Sequence, residues 1–186
     1  MKNKIILAAL LLSSSYAFAG PGMYLGVNAG SVDHQLNFDG ESGSDTSTGV
    51  KVYAGYQVTT AFAVEAGYVH FGDLGESDPD YSISFKPKAV YAAVTGTMAF
   101  SPIINLFGKV GVARTDSTLS ESDRRERFSM KRNLTSAMLG FGAQYKFSET
   151  LSAVAEYEYF GKIANLDDGG LSDKAAMVSV GVRYTF

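Results

Sequence analysis

The sequence has no cysteine, only four prolines and only two histidines. Beyond its first nineteen residues it also lacks any apolar run approaching the roughly 20 residues of a membrane helix. The missing cysteines exclude a disulfide framework, so an exported chain of this size must be held by other means, such as a closed ladder of backbone hydrogen bonds. The missing helical span excludes a helical membrane protein. A basic excess is absent as well, because 16 Lys and Arg face 19 Asp and Glu. A generally basic nucleic-acid binder is therefore excluded, and no nucleic-acid partner is expected.

What is present begins with an export signal. Lys2 and Lys4 precede the apolar run Ile5 to Leu12, followed by Ala17, Phe18 and Ala19. A charged start, a short apolar core and a small-x-small ending are the marks of a cleaved secretory signal. Residues 1–19 are read as that signal, and 20–186 as one mature domain. Loss of Lys2 and Lys4 leaves 14 basic against 19 acidic residues, a net charge of −5.

Twenty glycines, 11 tyrosines and 12 phenylalanines suit a chain of many strands. The clearest strand is Ala175 to Phe186, where Val178, Val180, Val182, Tyr184 and Phe186 alternate with Met177, Ser179, Gly181, Arg183 and Thr185. One face is wholly apolar. The same period-two pattern recurs seven more times, starting at Met23, Val50, Phe62, Val90, Leu106, Leu139 and Leu151. In a soluble sandwich the second face would meet water and be rich in charge. Here it is rich in glycine, with Gly26, Gly55, Gly67, Gly111, Gly142 and Gly181 among others. A narrow lumen that must mix small with large side chains explains this, so the apolar face points outward to lipid.

Connections alternate in length. Thr59 to Ala61, Ser101 to Asn105 and Ser148 to Thr150 are short; Asp33 to Ser47, Gly72 to Pro87, Thr115 to Arg132 and Gly161 to Asp173 are long and polar. The expected fold is an eight-stranded antiparallel up-and-down transmembrane β-barrel with short periplasmic turns and four long external loops, located in the cell outer membrane. An even strand count lets the first and last strands pair, which leaves no edge facing lipid.

The stretches Val64-Glu65-Ala66-Gly67-Tyr68, Leu106 to Gly111, Gly142-Ala143-Gln144-Tyr145 and Glu156-Tyr157 resemble the transmembrane domain of the OmpA family of small outer-membrane barrels. The ending Val182 to Phe186 looks like the terminal signal that such proteins present to the barrel-assembly machinery, with Tyr184 and Phe186 as its aromatic positions. The resemblance implies that Glu65 and Lys109 belong to an interior salt-bridge network. It also implies an acid on the sixth strand and a base on the seventh, where this chain has Gln144 and Val154. With the sequence ending at Phe186, no peptidoglycan-binding domain is implied.

Read from the residues alone, the lumen face carries Lys51, Lys109 and Arg183 against Glu65, Glu156 and Glu158, a balanced set expected to pair. Eight strands enclose room for side chains but not for a general diffusion pore. The third long connection gathers Arg124, Arg125, Arg127, Lys131 and Arg132, suited to lipopolysaccharide phosphates or sulfated host surface molecules. No catalytic, cofactor or metal site is expected. His34 and His70 lack the serine two residues on that marks lipid-A deacylases, having Leu36 and Gly72 instead, and Asp73, Glu76, Asp78 and Asp80 do not space as a calcium loop. The function expected is a non-enzymatic surface role in envelope structure, adhesion or host contact. A lipid-A-modifying enzyme and a narrow ion channel are the alternatives.

Overall fold

The computed structural model describes residues 22–38, 41–72, 77–78, 81–123, 127–166 and 171–186, with side chains for 22–34, 46–72, 87–116, 133–162 and 174–186. Its strands are β1 (Met23–Phe38), β2 (Glu41–Gln57), β3 (Phe62–His70), β4 (Ser77–Asp78), β5 (Tyr81–Ala99), β6 (Ile104–Asp123), β7 (Arg127–Lys146), β8 (Leu151–Leu166) and β9 (Leu171–Thr185). All pairings are antiparallel, and each strand but β4 has two barrel neighbours. The two-residue β4 pairs only with β5, outside the barrel.

Closure comes from two pairings. β3 bonds β5, and β1 bonds β9 from Tyr24↔Thr185 to Asn37↔Ser172. The Phe186 amide completes the seam by donating to the Met23 carbonyl at 3.0 Å. From Ala29 on β1, the register leads through Val50, His70, Lys88 and Asp116 to Asn133 on β7. The other way round it leads through Val180 and Ala155 to Ala143 on the same strand. Asn133 and Ala143 are ten residues apart, and this stagger tilts the strands. Because it is even, every residue that faces lipid on one strand meets lipid-facing partners on both sides.

Burial follows the alternation. Val52, Val64, Val94, Val110, Phe141 and Val180 are exposed on the outside, while Lys51, Glu65, Thr95, Lys109 and Ser179 are buried within. The lumen glycines have a specific packing cause. Gly26 lies opposite Tyr53, Gly55 opposite Tyr24 and Gly67 opposite Tyr91, and each tyrosine ring lies where a Cβ on its glycine would be. An interior too narrow for two large residues in register takes one ring and one hydrogen atom.

The short turns share one device. Thr59, Ser101 and Ser148 each accept backbone N–H groups two and three residues on, from Ala61 and Phe62, Ile103 and Ile104, and Thr150 and Leu151. A hydroxyl acceptor at the first turn position satisfies donors that the ladder cannot reach. The second turn is shorter than expected: β6 begins at Ile104, so Asn105 lies within it, buried in the lumen.

The long connections differ more. Strands continue to Phe38, Asp123 and Leu166 and resume at Glu41, Tyr81, Arg127 and Leu171, so much of the sequence read as loop is paired ribbon. Beyond the membrane neither face is buried in lipid, so the apolar alternation stops while the hydrogen-bond ladder continues.

Candidate functional site

Inward side chains arrange the lumen in three layers. At the periplasmic mouth, Thr95, Asn105, Gln144, Ser152 and Arg183 line a polar cavity of about 460 Å³. Gln144 there donates to Ser152 at 2.8 Å.

Above it lies the ionic layer. β2 supplies Lys51, β3 Glu65, β6 Lys109, β8 both Glu156 and Glu158, and β9 Arg183, all buried. Lys109 Nζ lies 2.7 Å from Glu65, 2.8 Å from Glu156 and 3.2 Å from Glu158. Lys51 Nζ reaches Glu158 at 2.6 Å and is also paired with Glu156. Arg183 meets Glu65 at 3.6 Å and stacks over the Tyr24 ring at 4.4 Å. Neutral donors add to the shell: Tyr24 and Tyr91 donate to Glu65 at 3.0 and 2.8 Å, and Asn28 to Glu156 at 2.6 Å. The charges sum to zero, as a site shielded from water requires. Gln144 and Val154 stand outside this set, and the acids opposite Lys51 come from β8 instead.

The third layer is apolar. Val32, Val69, Phe71, Met138, Phe160 and Met177 have no exposed surface and pack as one cluster on the extracellular side of the charges. Phe71 and Phe160 meet edge to face at 5.0 Å. Apart from Met177, these residues lie just beyond the outermost apolar positions of the sequence alternation, where the paired strands continue without a lipid face to mark them. His34, expected in an external loop, instead lies on β1, fully buried, with Nε2 3.1 Å from Ser47 Oγ. Ser47 Oγ donates to the Phe71 carbonyl. His70 ends β3 at the rim and accepts the Gly72 N–H at Nδ1, 3.0 Å away.

Of the basic external segment, Arg124 and Arg125 lie outside the described residues, as does the segment 1–19. Arg127, Lys131 and Arg132 belong to β7, opposite Ser122, Thr118 and Ser117 of β6; their side chains are not among those described. Of the acids weighed for a cation, Asp73, Glu76 and Asp80 also lie outside, and Asp78 is placed by its backbone in β4. Tyr184 and Phe186 stack edge to face at 5.0 Å at the periplasmic end of the β1–β9 seam.

Comparison with known proteins agrees with this architecture. Outer membrane protein A of Yersinia pseudotuberculosis serotype I (strain IP32953) is 25% identical over 153 residues, which are 81% of this chain and 43% of that protein. The chain thus spans less than half of that relative's length. Among solved structures, Neisserial surface protein A superposes with a TM-score of 0.64 at 16% identity, covering 89% of this chain and 97% of that one. Ail, the attachment invasion locus protein of Yersinia pestis, solved with the heparin analogue sucrose octasulfate, gives 0.58 at 20% identity, covering 87% and 98%. The profile of the OmpA-like transmembrane domain matches residues 20–186, and this outer-membrane β-barrel belongs to that family.

Proposed function

We propose that the protein is a non-enzymatic surface protein whose barrel is a sealed scaffold and whose extended β6–β7 ribbon presents a basic segment to anionic polymers outside the cell. The observation that carries this reading is the length of that ribbon. Its ladder runs without interruption from Ile104↔Tyr145 to Ser122↔Arg127. A barrel wall needs only about 9–11 residues per strand, so β6 and β7, at 20 residues each, extend well beyond the membrane. Arg127, Lys131 and Arg132 lie on that projection, with Arg124 and Arg125 between its strands in sequence. Guanidinium groups on a paired ribbon suit sulfate or phosphate recognition. Ail, which shares the fold, was solved with a sulfated ligand. Substituting Arg124, Arg125 and Arg127 with serine is expected to weaken retention on immobilised heparin and on cell surfaces; unchanged retention sinks the reading.

An enzymatic reading has one observation in its favour, the approach of His34 to Ser47. The geometry supports it poorly: Ser47 directs its proton to a backbone carbonyl, and the imidazole is enclosed. Lipid-A mass spectra with and without the protein are expected to be the same. A narrow channel is disfavoured by the apolar seal in series with the ionic layer. Lipopolysaccharide as neighbour, the assembly machinery as reader of Tyr184 and Phe186, and cleavage before Gly20 complete the proposal. N-terminal sequencing of the protein from outer membranes tests the cleavage.

A further inference from the structure

The outer wall carries two features that neither the lumen nor the basic segment uses. The first is an apolar groove of about 610 Å³ crossing β2, β3, β5 and β6. Its floor is set by direct register, Ala54 opposite Ala66 and Ala66 opposite Ala92, and it continues to Val112. Larger side chains, including Val64 and Val94, flank it. With neighbouring strands about 4.8 Å apart, it runs about 14 Å from β2 to β6. The strand tilt carries it upward toward the extracellular rim on the way, because successive partners from β2 to β6 climb the barrel.

The second feature lies at the top of that path. Arg114 is two residues beyond Val112 on β6, and Lys88 two residues beyond Val90 on β5; since Val90 pairs with Arg114, the two cations are diagonal neighbours. Both are exposed, and neither forms an ion pair with any described side chain. Asp116 lies opposite Lys88 in register, so the described side chains of this patch are two cations and one acid. Among the described side chains, Val90 and Val112 are the last outward apolar residues on β5 and β6, so Lys88 and Arg114 stand where hydrocarbon gives way to headgroups.

An apolar groove ending beneath two cations that pair with no described side chain, at headgroup level, is complementary to a lipid anion. We propose that groove and cations form one site for a phosphorylated glycolipid of the outer leaflet, with an acyl chain along Ala92 and Ala66 and a headgroup phosphate on Arg114 and Lys88. The guanidinium supplies paired N–H donors and the ammonium a point charge. Small residues below admit the chain where bulkier neighbours would hold it off the wall. This site is separate from the β6–β7 segment and does not depend on its role.

A second cationic pair provides the control. Lys162 and Lys174 are directly opposite on β8 and β9, away from the groove. The folded protein in detergent micelles is titrated with bisphosphorylated lipid A, with its dephosphorylated form and with inorganic phosphate, and every variant is checked by heat-modifiable gel shift. Lys88→Ser with Arg114→Ser is expected to weaken lipid A binding about tenfold or more, the order of one charge-assisted hydrogen bond. Lys162→Ser with Lys174→Ser is expected to change it less than about twofold, because those groups stand outside the site. Ala66→Phe, or Ala92→Leu if the first does not fold, is expected to weaken lipid A binding while leaving inorganic phosphate unaffected. Equal losses from both charge pairs, no loss from the first pair, or inorganic phosphate binding as tightly as lipid A would each overturn the proposal. Heparin retention of these same variants is expected to be unchanged, so failure here is distinguishable from failure of the loop reading.

Discussion

Lys109 Nζ lies 2.7 Å from Glu65 Oε1 although β6 and β3 are not neighbours, because both side chains cross the lumen past β5. The same ammonium is within ion-pair distance of Glu156 and Glu158, which makes it the common partner of three acids.

Replacing Lys109 with Met leaves those three acids facing only Lys51 and Arg183. The expected loss is about 3–5 kcal/mol, typical of breaking one partner out of a buried pair. Urea unfolding of the refolded barrel measures it, and adding Glu65→Gln is expected to restore part of the loss. A destabilisation below about 1 kcal/mol, the level of an exposed pair, contradicts the buried network.

Gly67 and Tyr91 provide a steric test. A Cβ on Gly67 would stand 2.5 Å from the Tyr91 ring, whose hydroxyl donates to Glu65. Gly67→Ala is expected to cost about 1–3 kcal/mol through overpacking. In a double-mutant cycle with Tyr91→Leu, the combined loss is expected to fall short of the sum by at least about 0.5 kcal/mol, as for residues in contact.

The turn hydroxyls make a smaller prediction. Ser101→Ala removes an acceptor shared by Ile103 and Ile104, and Ser148→Ala does the same for Thr150 and Leu151. Each is expected to cost about 0.5–1.5 kcal/mol in equilibrium unfolding. Neither changes the lumen.

The seal predicts electrical silence. Phe71 and Phe160 close the outer lumen above the ionic layer, so the wild-type protein in planar bilayers is expected to show no steady unit conductance. Steady conductance abolished by neutralising Lys109 refutes the closed lumen.

Phe186 separates assembly from stability. Its hydrogen bond to the Met23 carbonyl is donated by the backbone amide, so Phe186→Ala is expected to refold in detergent much as the parent does. In cells the same variant is expected to reach the outer membrane at reduced level. Equal levels there remove the assembly role proposed for this residue.

Much of the fold was legible because lipid enforces a strict rule on every strand. Val178, Val180 and Val182 face hydrocarbon while Ser179, Gly181 and Arg183 face the lumen, and a one-residue slip would invert both sets. The rule ends where the membrane ends. His34 was misplaced for that reason, as were the ribbons of β6 and β7, since outside the bilayer the ladder continues with no apolar face to mark it.

The sequence by itself determined eight alternating strands, which charged side chains enter the lumen, and a first and last strand available to each other. Only the tertiary structure decided that Lys109 reaches Glu65, Glu156 and Glu158, that Phe71 meets Phe160, and that Ala54, Ala66 and Ala92 align beneath Lys88 and Arg114. The physical reason is the stagger of ten residues. It accumulates over eight separate registers, and no single strand's alternation contains it.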